Sequence, residues 1–253
     1  MRIVKVFRSR MSRPGRIRSL PLDLNVGITV GEASPGAFAA AIERLRAGGE
    51  VFVDNGAFGL WKAGTPMGVA RAQAAIDIFE RLAAVAPDRD RLTVVAPDVI
   101  GDGAATRALQ RDLEPRLRAL AERARLVIPL QGFDLEAAAR TWRDALRSIG
   151  PRIVAGIPSV QRSPARWPGE LVRAFVARTG ARRVHFLGGT TRERAALELE
   201  LGLEASSDSG YAVMRATRAG GFHVAGEREA RAGERRVREV REAQRGLAFG
   251  ETA

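Results

Sequence analysis

The chain has 253 residues, of which 45% are hydrophobic and 28% are charged, so it is long enough to bury one large core. It contains no cysteine and two histidines, which excludes disulfides and thiolate metal ligands and argues against a zinc site. The N-terminus lacks the apolar core of a signal peptide, and no stretch reaches the roughly 20 apolar residues of a membrane-spanning helix. We therefore expect a single-domain cytoplasmic protein without a membrane partner.

The formal net charge of +12 favours a polyanionic partner, because cationic side chains that neutralise phosphates release condensed counterions. Lysine occurs only at Lys5 and Lys62, so genome base composition is an alternative explanation for the arginine excess. Residues 1–20 nevertheless carry basic side chains and no acid, and we predict a DNA-binding basic arm over residues 1–21. The predicted nucleic-acid contacts are Arg8, Arg10, Arg13, Arg16, Arg215 and Arg218.

Apolar runs and helical periodicities alternate along the chain. A basic loop through Pro14 follows the first apolar run, and Ser34 and Pro35 indicate the N-cap and first turn of the first helix. The predicted strands are 3–7, 22–30, 51–54, 91–97, 125–131, 152–157, 182–187 and 203–207. The predicted helices are 35–47, 67–85, 104–124, 135–149, 168–179, 191–201 and 210–219, and a solvated helix lies within the C-terminal tail, 221–253.

Most of these strands are continuously apolar, which is typical of a sheet covered on both faces, and their alternation with helices indicates parallel pairing. A closed TIM-like (β/α)8 barrel is the first choice for this length. An open doubly wound sheet is the alternative, but the first strand–helix junction lacks a Gly-rich dinucleotide fingerprint.

Polar residues and glycines follow strand after strand, and the carboxyl ends of parallel strands meet at one face of a barrel. We therefore expect these residues to converge on a candidate active site. Each has a simpler interpretation: Asp54 can begin an Asn-Gly turn, Asp98 can cap the helix near Gly103, and Gln131 can satisfy loop backbone. The glycines can simply turn the chain. The converging positions are Asp54, Asp98, Gln131, Gly132, Gly156, Gly188, Gly189 and Asp208.

Several segments resemble the tRNA-guanine transglycosylase superfamily, in the family's order. Asp54-Asn55-Gly56-Ala57-Phe58 resembles the Asp-Ser-Gly-Ala-Phe form of the relatives that insert deazaguanines into DNA. Residues 95–98 are similar to the strand end whose aspartate binds the purine edge, and residues 128–132 to the Val-Gln-Gly segment. Residues 155–157 resemble the backbone that contacts the base, and residues 207–209 take the place of the nucleophilic aspartate. The resemblance spans about residues 22–220.

The departures from the family pattern favour the DNA branch. The tRNA enzymes carry a zinc site of three cysteines and a histidine, whereas this chain has no cysteine and ends soon after His223. Asn55 stands where the family has serine, and Gly59 stands where it has glutamine. A compact member of the deazaguanine DNA-modification group is the better match.

The resemblance implies that Asp208 is the nucleophile that holds the sugar C1′ and that Asp54 moves protons on and off the bases. It implies that Asp98 binds the edge of a guanine-like base, read also by Gln131 and backbone amides, with Phe58 as a stacking face. The target base leaves the helix stack to reach such a pocket. No metal or cofactor is implied. The substrate-binding residues are Asp98, Asn55, Gly56, Phe58, Gln131, Gly132, Gly156 and Ile157.

The partners that follow are DNA, a base such as 7-cyano-7-deazaguanine and helper proteins of a DNA-modification system, with RNA as the alternative nucleic acid. Two other classes of protein remain open. One is a barrel enzyme that binds Mg²⁺ through Asp54, Asp98 and Asp208 and acts on a phosphorylated metabolite. The other is a non-catalytic nucleic-acid-binding barrel.

Overall fold

The computed structural model describes residues 5–8, 11–160, 165–188 and 192–209. The predicted helix at 210–219 and the C-terminal tail lie outside the described residues, as do Gly189, Arg10, Arg215 and Arg218.

The eight strands fall where the apolar runs predict them, and most of them have shorter or slightly shifted bounds. The predicted strand at 3–7 is present as β1, shifted by one or two residues. The strands are β1 (Lys5–Arg8), β2 (Val26–Thr29), β3 (Val51–Asp54), β4 (Leu92–Val95), β5 (Arg125–Pro129), β6 (Val154–Pro158), β7 (Arg183–Leu187) and β8 (Glu204–Ser209).

All strand pairs are parallel, and strands that follow one another in sequence are neighbours in the sheet. Strands β2 to β8 form a curled seven-strand sheet, compatible with a TIM-like barrel. β1 stands between its two edges: it pairs with β8 from Lys5↔Ser206 to Arg8↔Ser209 and with β2 through Arg8↔Val26. β1 therefore lies between β8 and β2 in the strand order, and its pairing with β2 is shorter than its pairing with β8.

The helices of the described residues connect consecutive strands. Their bounds are α1 (Pro14–Arg18), α2 (Pro35–Arg46), α3 (Ala57–Lys62), α4 (Val69–Ala83), α5 (Gly103–Asp112), α6 (Glu114–Arg123), α7 (Leu135–Ser148), α8 (Gly169–Thr179) and α9 (Arg192–Glu200).

Helix α1 replaces part of the predicted basic loop. Pro14 occupies its first turn, where a missing N–H costs nothing, and Ile17 is buried against the core together with Met11. The Met11 N–H also donates to the Gly27 carbonyl. The second half of the predicted basic arm is therefore docked on the sheet and α2.

Two further differences concern α3 and the predicted helix 104–124. The short helix α3 follows the Asn-Gly turn directly, a position at which the sequence indicates only a loop. The predicted helix 104–124 is two helices, α5 and α6, which meet at Leu113. Pro115 explains the break, because proline has no N–H for a continuing helix and its ring clashes with the preceding turn.

The core has two parts, one on each side of the sheet. Alternate strand residues such as Val51 and Val53 pack with the helices in the large outer cluster. The residues between them point inward and form a small apolar cluster that contains no helix residue, as expected for the interior of a curled sheet. This inner cluster consists of Phe7, Phe52, Val95, Val127 and Val154, with Leu187 packed against it.

No helix in the described ranges is both long and apolar enough to cross a membrane.

Candidate active site

Polar side chains collect where the strands end, at the carboxyl edge of the sheet. Asp54 is the last residue of β3 and has the same strand parity as inward-pointing Phe52. Asp208 lies near the end of β8, in register with Phe7 of β1, and Asp98 follows β4 by three residues. The negative charges of Asp208 and Asp98 both raise the pKa of Asp54, as expected for carboxylates that share this edge.

Asp98 is buried at 3% exposure and is held by two side-chain amides. Asn55 Nδ2 donates to Asp98 Oδ1 at 2.7 Å, and Gln131 Nε2 donates to Asp98 Oδ2 at 2.5 Å. Asn55 Nδ2 also donates to the Ala96 carbonyl, and Gln131 Oε1 accepts the Gly101 N–H. The loops that follow β3, β4 and β5 are thereby joined through one carboxylate.

Burial raises the pKa of Asp98 to about 6, and the hydrogen bonds from Asn55 and Gln131 oppose that rise because they favour the ionised form. The simpler interpretation of Asp98 as a helix cap is wrong, because Asp102 caps α5 by accepting the Ala104 and Ala105 N–H groups. The simpler interpretation of Gln131 is confirmed, since it satisfies a loop N–H.

Asp54 lies in a tight turn at the carboxyl edge of the sheet. Its Oδ1 accepts the Gly56 N–H at 2.8 Å, and Asn55 Oδ1 accepts the Ala57 N–H at 2.7 Å, so two overlapping turns start α3. Burial raises the pKa of Asp54 to about 7, and the negative charge of Asp208 adds to the rise. The Gly56 N–H opposes it, while Asp98 and Glu32 add smaller repulsions. Asp54 can therefore gain or lose a proton near neutral pH.

Gly56 is required by this turn. Its φ of +85° lies in the left-handed region, and a Cβ at this position would come within 2.4 Å of the Val30 carbonyl oxygen. Any other residue would push β3 and its acid away from β2. Gly56 and Asn55, both predicted to bind substrate, thus have structural roles that fix Asp54 and Asp98.

Asp208 is 7% exposed, and its Oδ1 lies within hydrogen-bond distance of two groups of β7 and the residue after it. The Gly188 N–H donates to Oδ1 at 2.8 Å, and His185 Nε2 lies 3.2 Å from the same oxygen. Gly188 has a φ of +92°, in the left-handed region that favours glycine.

Phe58 lies on α3 and is partly buried. Its ring stacks on Trp61 with centroids 5.5 Å apart, and Lys62 Nζ lies 4.7 Å from the Phe58 centroid. Trp61 is 38% exposed, so an aromatic and cationic surface borders the turn that carries Asp54.

The remaining predicted substrate-binding residues do not all face the same way. The Gly132 carbonyl accepts Trp167 Nε1 at 2.7 Å, which ties the loop after β5 to the segment before α8. Gly156 has inward parity, and a Cβ there would lie 2.8 Å from Val127 Cγ1. Ile157, by contrast, is fully buried in the outer cluster against the helices, so its side chain does not reach the interior of the sheet.

The predicted nucleic-acid contacts are described in part. Arg13 is exposed and Arg16 is partly buried, both at α1, which follows β1 on the same edge of the sheet as the three acids. Arg8 belongs to β1, and its side chain lies outside what the structure describes.

Within the described ranges, no three His, Cys, Asp or Glu side chains come close enough together to hold a metal ion. Asp98 instead uses its two oxygens for neutral amide donors.

His185 is the residue at the site that the sequence does not identify. The sequence presents it as part of an apolar strand, yet its ring is fully buried on the inward face beside Asp208. The available signal is a histidine two residues from the end of an otherwise apolar strand, in a chain with two histidines. In the pairing of β7 with β8, His185 is in register with Ser206, and this brings its ring to Asp208.

Neither the comparison with protein-family models nor the search of curated proteins gave a match to this chain.

Proposed function

We propose that this chain is a nucleic-acid guanine transglycosylase, which exchanges a guanine in DNA for a 7-deazaguanine base through a covalent aspartyl-glycosyl intermediate. The observation that carries the proposal is the pairing of two unlike carboxylates at one edge of the sheet. Asp54 has a pKa of about 7, raised by burial and by Asp208, whereas Asp208 Oδ1 accepts the Gly188 N–H. Base exchange needs this division between a proton carrier and a nucleophile.

The chemistry balances with these two groups. An oxygen of ionised Asp208 attacks C1′ of the target nucleotide, the C1′–N9 bond breaks, and protonated Asp54 gives its proton to the departing guanine. The incoming base then loses its N9 proton to Asp54 and attacks C1′, and the Asp208 ester bond breaks. Both carboxyl groups return to their starting states, and no oxidant or reductant is required.

The buried Asp98 supports recognition of a purine-like base. Asn55 and Gln131 fix the plane of its carboxylate, and each carboxylate oxygen can accept more than one hydrogen bond. A guanine-type edge offers a ring N–H and an exocyclic amine, the paired donors that such an acceptor selects. Leaving the acceptor without those donors would cost binding energy, so other bases are disfavoured.

The aromatic side chains at the carboxyl edge of the sheet support the proposal that the substrate base has left the double helix. Partly exposed Trp61 stacks on Phe58 next to the Asp54 turn, and bases of an unpaired strand stack on such aromatic faces. The net charge of +12 and exposed Arg13 on the same edge favour a phosphate backbone. We propose a (β/α)8 barrel completed by the predicted helix at 210–219 as the scaffold.

The test is direct detection of the exchanged base. The full chain is incubated with duplex or single-stranded DNA and 7-cyano-7-deazaguanine, with and without helper proteins, and the DNA is digested to nucleosides for mass spectrometry. We expect a 7-deazaguanine nucleoside in the DNA and one released guanine for each base inserted.

Parallel reactions separate the alternative functions. Insertion into transfer RNA but not DNA would move the substrate to RNA. Activity on phosphorylated metabolites that a chelator abolishes, without base exchange, would favour the Mg²⁺ enzyme. Nucleic-acid binding with no exchange of labelled guanine on either polymer would identify a binding protein.

A further inference from the structure

Inside the curled sheet, beneath the acidic edge, His185 connects the apolar interior to Asp208. Its ring is fully buried and stacks on Phe52, with centroids 4.8 Å apart and planes 9° from parallel. Phe7 lies on another side, at 6.3 Å between ring centroids. An aliphatic or aromatic side chain would satisfy this apolar environment, so the two ring nitrogens are what distinguish histidine here.

Both nitrogens have partners on β8. Nδ1 lies 2.8 Å from Ser206 Oγ, and Nε2 lies 3.2 Å from Asp208 Oδ1. The register pairs His185 with Ser206, and Asp208 follows two residues later on the same face of β8. The histidine therefore spans two consecutive inward positions of its neighbouring strand.

The partners determine where the ring proton lies. An ionised carboxylate can only accept a hydrogen bond, so the contact with Asp208 requires the proton on Nε2. In that neutral tautomer Nδ1 is an acceptor, and the Ser206 hydroxyl can donate to it. Asp208 thus selects the tautomer, the Ser206 hydroxyl holds the opposite side of the ring through Nδ1, and the stack on Phe52 fixes the plane of the ring.

We propose that His185, oriented by Ser206, is the positioning residue for the Asp208 nucleophile. This inference rests on the proposed function. Together with the Gly188 N–H, the Nε2–H group anchors Oδ1 of Asp208, which fixes the rotation of the carboxylate about its Cβ–Cγ bond. Asp208 is thereby held in one orientation for its attack on C1′. His185 contacts Asp208 and not the substrate, so it acts only through that carboxylate.

The kinetic test compares two substitutions of similar size. His185→Gln keeps an N–H donor near the Nε2 position, whereas His185→Phe keeps the stack on Phe52 and removes the donor. We expect single-turnover formation of the covalent adduct to slow roughly 10- to 100-fold in His185→Phe, with nucleic-acid binding unchanged. His185→Gln should recover most of the rate.

Ser206→Ala is the milder test, since it removes the hydroxyl that holds Nδ1 and leaves the ring in place. We expect a smaller loss of the adduct rate, between those of wild type and His185→Phe. Thermal unfolding of each variant reports whether the fold is retained. A folded His185→Phe protein with the wild-type adduct rate, or a folded His185→Gln protein as slow as His185→Phe, would overturn the proposal.

A second measurement does not depend on catalysis or on the folding of the His185 variants. The chain has only two histidines, so the ¹⁵N spectrum of a His223→Asn protein reports on His185 alone. We expect the Nε2–H tautomer at neutral pH and a change in the Nε2 signal on Asp208→Asn. An Nδ1–H tautomer, or a spectrum unaffected by Asp208→Asn, would refute the contact. If the contact between His185 and Asp208 is present but the protein exchanges no base in DNA or RNA, the proposed function is wrong and the contact itself stands.

Discussion

The two ends of the curled sheet carry charge in different ways. At the amino end, Arg125 begins β5 and Glu204 begins β8, and their side chains meet at 2.6 Å across the opening, although the two strands are not neighbours. Asp90 Oδ1 also lies 3.4 Å from Arg125 Nε. Opposite charges are therefore matched in this contact.

At the carboxyl end, three carboxylates share one edge, and the donors described for them are amides, backbone N–H groups and a histidine. Asp54 and Asp98 have pKa values of about 7 and about 6, because burial is not offset by a paired cation. Matched charges suit a structural end, whereas acids such as Asp54 and Asp98, whose removal from water raises their pKa, destabilise the folded chain and are retained where chemistry uses them. The five predictions that follow test this difference, from the largest expected effect to the smallest.

The first prediction removes the nucleophile. Asp208→Asn should abolish the covalent adduct and lower base exchange by about 10³-fold or more, because an amide is a far poorer nucleophile. Nucleic-acid binding should stay near wild type. Denaturing gels of protein with substrate oligonucleotide, run with and without free base, show the adduct directly.

The control for Asp208→Asn is Glu204→Gln, the same change of acid to amide on the same strand but at the amino end. It should leave adduct formation intact and cost about 1 kcal/mol of unfolding free energy through the broken ion pair with Arg125. Base exchange by the Asp208→Asn protein, or loss of the adduct in a folded Glu204→Gln protein, would contradict the proposed difference between the amino and carboxyl ends of the sheet.

The second prediction removes the proton carrier and leaves the nucleophile. Asp54→Asn should lower exchange by roughly 10²- to 10⁴-fold, while binding of nucleic acid and base persists. The amide oxygen can still accept the Gly56 N–H, so the turn before α3 should be retained. Steady-state exchange of labelled guanine measures the loss. An unchanged rate would mean that another group carries the proton.

The third prediction concerns base recognition. Asp98→Asn replaces one carboxylate oxygen by an NH₂ donor, which then faces the amide donor of either Asn55 or Gln131, so one buried acceptor is replaced by a clash of donors. We expect the KM for the incoming base to rise about 10- to 100-fold, with a smaller effect on kcat, and stability to fall by about 1–3 kcal/mol. An effect confined to kcat would move Asp98 from binding to the chemical step.

The fourth prediction is a pH dependence of stability. The pKa of Asp54 is about 7 in the folded chain and near the ordinary value of about 3.9 when unfolded, so the folded chain holds this proton more tightly. The unfolding free energy should therefore fall as pH rises from about 4 to about 7. Asp54→Asn removes this contribution, and the variant should be more stable than wild type by on the order of 2 kcal/mol at pH 8 and equal to it at pH 4.

Urea unfolding at pH 4, 6 and 8 measures this effect. Asp102→Asn is the matched control, because asparagine caps the start of α5 as well as aspartate does and the site is untouched. A wild-type curve parallel to that of Asp54→Asn over the whole range would show that Asp54 is not protonated near neutral pH.

The fifth prediction asks which end binds nucleic acid. Replacing Arg8, Arg10, Arg13 and Arg16 by glutamine should weaken DNA binding and flatten its salt dependence, by about 0.9 in the logarithmic slope for each phosphate that is no longer neutralised. The matched control replaces four exposed arginines at the amino end, which changes the net charge equally. Those residues are Arg46, Arg123, Arg152 and Arg182. Equally weakened binding in both variants would indicate that the arginine excess acts without a defined surface.

The sequence by itself determined the order of the elements and the edge at which the polar residues meet. Continuously apolar strands require a sheet covered on both sides, and parallel connection puts Asp54, Asp98 and Asp208 at the same edge. Helix ends with a local cause were also predictable, such as the one at Ser34, where the side chain accepts the Ala37 N–H. The break at Leu113 had an equally local cause in Pro115, but the helical periodicity continued through it and outweighed that signal.

Tertiary structure decided which polar residues touch and which way each side chain points. Asn55 reaches Asp98 only because β3 and β4 are neighbours in the sheet, and Ile157 faces the helices because of its position in the strand register. His185 became a partner of Asp208 through pairing across 23 residues of sequence. The pKa values of the acids follow from burial, which is a property of the folded molecule, because no run of residues states how much water remains beside a carboxylate.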